Sequence, residues 1–121
     1  MSESQSLGQI GEQKAGAFLE NAGYKIRHRN WKSGKKEIDI VAENKDFIVF
    51  VEVKTRTDDR WMDPRDTVTP KKQKLIIYAA EAYINKYNIN KESRFDLIIV
   101  MGKEEPFKID HIENAYYPTL R

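Results

Sequence analysis

Ile38-Asp39-Ile40-Val41-Ala42 and Phe47-Ile48-Val49-Phe50-Val51-Glu52-Val53 are two runs rich in β-branched and aromatic residues, separated by Glu43-Asn44-Lys45-Asp46. Such runs with turn-forming residues between them predict an antiparallel hairpin. A loop of either two or four residues sets Ala42 opposite Phe47 and Asp39 opposite Phe50, with Glu52 on the diagonal. Alternation then places Asp39, Val41, Ile48, Phe50, Glu52 and Lys54 on one face, and Ile38, Ile40, Phe47, Val49, Val51 and Val53 on the other. Both faces are largely apolar, so the hairpin is expected in mid-sheet, covered on both sides.

Working outward, Ser6 and Gln9 form a capping box ahead of Leu7, Ile10, Ala15, Phe18, Leu19 and Ala22, whose helical spacing ends at Gly23. Tyr24 to Trp31 alternates as a strand with one cationic face, and Lys32 to Lys35 turns the chain. Beyond the hairpin, Thr55 to Val68 is polar, charged and interrupted by Pro64, which predicts a long loop. Thr69-Pro70 then supplies a cap and a first-turn proline for a helix through about Tyr87, with Ile76, Ala79, Ala80, Tyr83 and Tyr87 on its apolar side. Arg94 to Met101 is a strand, Gly102 to Pro106 a turn, and Phe107, Ile109 and His111 alternate along a last short strand. The order αβββαββ, without repeats or linkers, predicts one α/β domain over residues 1–121: a mixed central sheet with helices on both faces.

The chain of 121 residues is long enough to bury a core without disulfides. It has no cysteine and only His28 and His111, so a zinc site of thiolates and imidazoles cannot be assembled. Oxygen ligands remain, and with them magnesium, manganese or calcium. The apolar runs are too short to span a bilayer and Met1 to Gln5 does not read as a secretory signal, so a cytoplasmic protein is expected. A formal net charge of +2 says little about polyanion binding, which depends on where the cations lie.

Asp39, Glu52 and Lys54 carry the chemistry. A diagonal pair lies roughly 7–8 Å apart at Cα, so two carboxylates can converge on one hard cation. Such an ion polarises a phosphoryl oxygen and acidifies a bound water, while a nearby ammonium orients that water or neutralises developing charge. The alternative is a buried Lys54–Glu52 ion pair with Asp39 at an exposed strand end. Three charges on one face exceed what one salt bridge needs. Glu37 faces the same way, with Lys35 and Lys36 as competing partners.

Glu37-Ile38-Asp39-Ile40-Val41-Ala42 followed by Phe50-Val51-Glu52-Val53-Lys54-Thr55-Arg56 resembles the core of PD-(D/E)XK nucleases. Leu7-Gly8-Gln9-Ile10-Gly11-Glu12 with Ala15, then Gly23-Tyr24, Arg29-Asn30-Trp31, Val68-Thr69 with Lys72, Arg94-Phe95-Asp96 and Ile112-Glu113-Asn114-Ala115-Tyr116 are similar to the YraN family. That resemblance covers nearly the whole chain. It implies a restriction-endonuclease-like fold akin to Holliday-junction resolvases, Asp39 and Glu52 as metal ligands, Lys54 as the catalytic lysine, and Glu12 as a further acidic member. Magnesium or manganese would be the cofactor. From helix spacing alone, Glu12 lies at the border of the apolar stripe, as suited to the solvent boundary as to a site.

Cations flank the acids at Lys25, Arg27, Arg29, Lys32, Lys35 and Lys36, and at Arg56, Arg60, Arg65, Lys71, Lys72 and Lys74. Arg29, Lys35, Lys36, Arg56, Lys71 and Lys72 are the candidate contacts to a nucleic-acid backbone, DNA first. Lysines in the first turns of the second helix oppose its dipole, which argues for an anionic ligand. Trp61 is suited to stacking on a base or to anchoring the loop or a partner subunit. His28 and His111 read as strand residues, not ligands. The competing class is a non-catalytic nucleic-acid-binding or assembly module, and the charged loop 55–68 is a candidate homodimer contact.

Overall fold

A computed structural model describes residues 5–57 and 68–116. The elements follow the expected order: α1 (Leu7–Asn21), β1 (Lys25–Ser33), β2 (Lys36–Glu43), β3 (Phe47–Arg56), α2 (Pro70–Lys86), β4 (Glu92–Met101) and β5 (Lys108–Ile112). They build one sheet in the order β1-β2-β3-β4-β5. Every neighbouring pair is antiparallel except β3 and β4, which run parallel and need the crossover that α2 provides. The mixed α/β architecture expected from the sequence is therefore present.

The hairpin forms, but it pivots one residue later than the spacing implies. Asn44 N donates to Phe47 O at 3.1 Å, leaving Lys45-Asp46 as the turn. Asn44 Oδ1 accepts from Asp46 N at 3.0 Å and Phe47 N at 2.9 Å, so the side chain holds the turn in place. Ala42 therefore pairs with Val49 and Val41 with Phe50, where the sequence reading set Ala42 against Phe47. The shift of two residues leaves the faces of Ile40 to Ala42 and Ile48 to Val51 as the alternation set them. Phe50 thus pairs with Val41 and not with Asp39, and the ladder ends at Ile40↔Val51, beyond which Asp39 feels the Glu52 charge.

Strict alternation fails at two places, the first a register shift between Ile26 and His28 that sets both Arg27 and His28 on the Tyr83 hydroxyl. Ile38 shares a buried cluster with Val41, although the sequence pattern put the two on opposite faces. Across from Asp39, between the pairs Arg29↔Ile40 and Trp31↔Ile38, sits Asn30 with φ 53. A left-handed residue, which asparagine tolerates better than most, rotates the strand, so His28 and Trp31 both meet the Tyr83 ring. The phase break falls where Asp39 must turn toward its partners.

Two cores sandwich the sheet. Ile38, Val41, Ile48, Phe50, Phe95, Leu97 and Ile99 meet Ile76, Ala79, Ala80 and Tyr83 of α2. Ile40, Ala42, Val49, Val51, Val53, Ile98 and Val100 meet Ala15 and Leu19 of α1. β3 continues through Arg56 because its parallel ladder with β4 runs to Arg56↔Met101, so Thr55 and Arg56 are strand and not the expected loop. Residues 58–67 of that loop, with Arg60, Trp61, Pro64 and Arg65, lie outside the described residues. No helix among the described residues is long and apolar enough to cross a membrane.

The capping box closes α1, with Gln9 N donating to Ser6 Oγ at 3.1 Å. The helix buries Gly11, Ala15, Gly16 and Leu19 against the strands. A Cβ at Gly11 would fall inside van der Waals contact of Thr55 Oγ1 and 3.5 Å from Thr55 Cβ. Glycine thus sets how closely the helix approaches β3, and with it the reach of Glu12. Gly11→Ala should cost about 1–3 kcal/mol in urea unfolding. Thr55→Ala in the same chain should restore much of that loss, and strictly additive costs would refute this contact.

β4 and β5 are tied by a buried ionic network. Asp96, 0% exposed, accepts from Arg94 Nε at 3.0 Å, an Arg94 Nη at 2.8 Å and Asn114 N at 3.2 Å, and lies 2.7 Å from His111 Nε2. Arg94 also donates to the Tyr24 hydroxyl and lies over the Phe47 ring. Burial works to raise the Asp96 pKa, but the His111 and Arg94 bonds outweigh it and hold the carboxyl below its usual range. His111, expected only as a strand residue, is here an anchor for β5.

Candidate metal-binding and catalytic site

Residues from four elements meet at the sheet end where β2 starts and β3 finishes. β2 brings Asp39, β3 brings Glu52 and Lys54, α1 brings Glu12, and α2 brings Lys72. Glu52 is 7% exposed, and its Oε2 lies 3.0 Å from Lys72 Nζ and 3.6 Å from Lys54 Nζ. Lys72 was expected among backbone contacts, yet it is nearer the acid than Lys54. The Thr69-Pro70 start placed Lys72 in the first turn of α2, where its backbone N–H donates to Thr69 Oγ1 at 3.2 Å. That this turn abuts the end of β3 is a tertiary fact with no local signal.

Asp39 Oδ2 accepts from Val53 N at 2.8 Å, taking a ladder hydrogen from the main chain at the point where β2 and β3 part. Its pKa is pushed up to about 7: burial is the main cause, the Glu52 and Glu12 charges add to it, and the Val53 N–H and Lys36 oppose it. Glu12 is also raised, chiefly by burial and further by Glu37 and Glu52, against a hydrogen bond from Asn30 and the Arg29 charge. Lys54 is lowered, first by the adjoining Lys72 ammonium and then by burial, with Glu52 pulling the other way. Burial disfavours the Lys72 charge, but the Glu52 carboxylate 3.0 Å away outweighs it and holds Lys72 above the usual lysine range.

The acids thus repel one another in a partly dry pocket while two ammonium groups compete for Glu52. Among the described residues no three His, Asp or Glu side chains converge tightly enough to cage an ion on their own. The donor set nevertheless fits a hard divalent cation: Asp39, Glu52 and Glu12 offer carboxylate oxygens, and their mutual repulsion is charge that such an ion would neutralise.

The raised Asp39 pKa has a consequence for stability. Folded Asp39 keeps its proton to about pH 7, whereas an unfolded aspartate loses it near 3.9. Its contribution is therefore fully present below about pH 4 and is lost as pH rises through 7. In metal-free buffer, Asp39→Asn should gain on the order of 1–2 kcal/mol over wild type at pH 8, discounted for partial exposure, and much less at pH 5. Thermal melts at the two pH values check this; an equal gap at both would contradict it.

The structure sorts the expected cations. Lys36 acts on Asp39 and Arg29 on Glu12, so both lie at the rim of the acids. The exposed Arg29 guanidinium also rests against Gly16. Arg56 is half-buried at the end of β3, and Lys35 and Lys71 are exposed. Arg27, read as part of a cationic face, is instead committed to the Tyr83 hydroxyl at 2.8 Å and to Glu43 at 3.4 Å. His28 Nδ1 shares that hydroxyl at 2.7 Å, a structural role as expected.

One residue near the acids escaped sequence reasoning. The buried Tyr116 hydroxyl has no hydrogen-bond partner among the described residues, and burial, Glu52 and Asp96 all push its pKa up. It follows the last strand with no periodic signal around it, so its stacking on Phe95 was not foreseeable.

A family model described as "Uncharacterised protein family UPF0102" matches residues 11–100, a span that holds Glu12, Asp39, Glu52, Lys54 and Lys72. A UPF0102 protein of Phocaeicola vulgatus is 47% identical over 120 residues, covering 99% of each chain. One from Bacteroides fragilis is 46% identical with the same coverage. A Myxococcus xanthus relative is 38% identical over 115 residues, 94% of this chain and 91% of its own length. The chain therefore belongs to the UPF0102 family, the YraN family that its motifs resemble.

Proposed function

We propose that this protein is a divalent-metal-dependent endonuclease that hydrolyses phosphodiester bonds in DNA, branched or otherwise distorted structures included. The observation that carries the reading is that Asp39 and Glu12 both feel the Glu52 charge, while the Lys72 and Lys54 ammonium groups lie 3.0 and 3.6 Å from Glu52. Asp39 and Glu52, with Glu12, would hold magnesium or manganese. When bound, that ion supplies Lewis acidity toward a phosphoryl oxygen and a more acidic water. Lys54 orients the attacking water and offsets charge developing on the phosphate. Lys72, which screens Glu52 in this arrangement, is free to move to a phosphate once Glu52 has another cation. Arg29, Lys35, Lys36, Arg56 and Lys71 contact the backbone on either side of the cut without reading sequence.

Supercoiled, duplex, single-stranded and junction DNA incubated with magnesium or manganese should be cut, and chelation should stop the cutting. DNA left intact throughout would overturn the reading. One observation favours a second reading, a nucleic-acid-binding module that keeps the nuclease fold: Glu52 pairs with two lysines and Asp39 with Val53 N–H without any ion. Calorimetry separates the two, because the module would hold DNA while taking up no divalent cation.

A further inference from the structure

α2 has a second face, of which only Lys71 has a role so far. Ile76, Ala79, Ala80 and Tyr83 hold its inner side in the core. On the outer side Leu75 and Tyr78 are 43% and 58% exposed, the exposed large hydrophobic side chains among the described residues. Residues three and four apart share a helix face, so Lys71, Lys74, Leu75 and Tyr78 form one ridge. Lys71 and Lys74 have no carboxylate partner among the described residues. The ridge begins beside Lys72, which touches Glu52, and the stretch from Lys72 to Tyr78 rises about 9 Å along the axis.

Resting on the nuclease reading, we propose that this ridge binds unpaired nucleotides of the DNA substrate, with the Tyr78 ring stacking on a base, Leu75 packing beside it, and Lys71 and Lys74 on the flanking phosphates. An exposed aromatic ring interleaved with ammonium groups that have no carboxylate partner among the described residues matches a strand that is polyanionic outside and aromatic within. A fully paired duplex hides its base faces and offers only the phosphates. A second copy of this chain is the poorer occupant. A two-fold contact here would set lysines against lysines, and two apolar side chains fall far short of the roughly 1,200 Å² that stable interfaces bury. The ridge would thereby give the site its preference for distorted over regular DNA.

Fluorescence anisotropy in EDTA, where nothing is cut, compares a labelled duplex with the same duplex carrying an unpaired bulge. Wild type should bind the bulged form about five- to a hundredfold tighter, the range of one base–aromatic stack. Tyr78→Ala should bring the two affinities together, Tyr78→Trp should keep them apart, and Lys71→Ala should weaken both alike. A preference that survives Tyr78→Ala overturns the proposal. So does a Tyr78→Ala chain that sediments as a monomer where wild type is a dimer, with DNA affinity unaltered, since the ridge would then serve a second copy. Wild type that cuts DNA with magnesium but binds both forms equally removes the ridge proposal alone. Wild type that neither binds nor cuts removes the nuclease reading with it.

Discussion

Asp39→Asn and Glu52→Gln should each lower metal-dependent DNA cleavage by roughly a hundredfold or more while leaving the fold intact. Both changes keep side-chain volume and one carbonyl oxygen but remove the negative charge a divalent cation needs. Asparagine can still accept the Val53 N–H, so the β2–β3 junction should hold. Glutamine at position 52 leaves Lys54 and Lys72 adjacent without their shared carboxylate, and a modest cost in stability should accompany the loss of cutting. Lys54→Ala is the informative control: it should cut slowly yet bind metal in calorimetry as wild type does, because ammonium and carboxylates have different tasks. Were Asp39→Asn to cut as fast as wild type, the assignment of the site would be wrong whatever the activity of the parent.

Asp96→Ala should be the most destabilising single change outside the hydrophobic core. Removing one partner of a buried ion pair costs about 3–5 kcal/mol, because the other charge is left dry and alone. Here that charge is Arg94, 5% exposed, and the same deletion strips His111 and Asn114 N of their acceptor. A fall in Tm on the order of 10–20 °C follows for a domain of this size. The pH dependence has a definite sign. Folding depresses the Asp96 pKa, so its contribution is present above the unfolded value near 3.9 and disappears as pH falls through the folded one. Asp96→Ala should therefore have a flatter stability curve than wild type in the acid limb, measured by urea unfolding. Because the Asp96 carboxyl is engaged by His111, Arg94 and Asn114 and not by Glu12, Asp39 or Glu52, metal binding should survive wherever the variant remains folded.

Sequence by itself determined the number, kind and order of the elements, since helical and alternating spacing are local properties of a chain. It determined the caps at Ser6 and Thr69 for the same reason. It also set the parity by which Glu52 and Lys54 share a side of β3, 3.6 Å apart, whereas Asp39 sits where the alternation of β2 breaks. Only the tertiary structure decided the rest. The Asn44 Oδ1 bonds that hold the turn are local, yet the letters alone did not choose this pivot over its neighbour, and it moved Ala42 from Phe47 to Val49. Asn30 broke the alternation in a strand whose letters read as regular. Lys72 and Glu12 reached the acids, and Arg94, Asp96 and His111 found one another, through contacts between segments far apart in the chain. Periodicity carries no information about such contacts, because they depend on how closely helices settle on the sheet, as Gly11 allows α1 to do against Thr55.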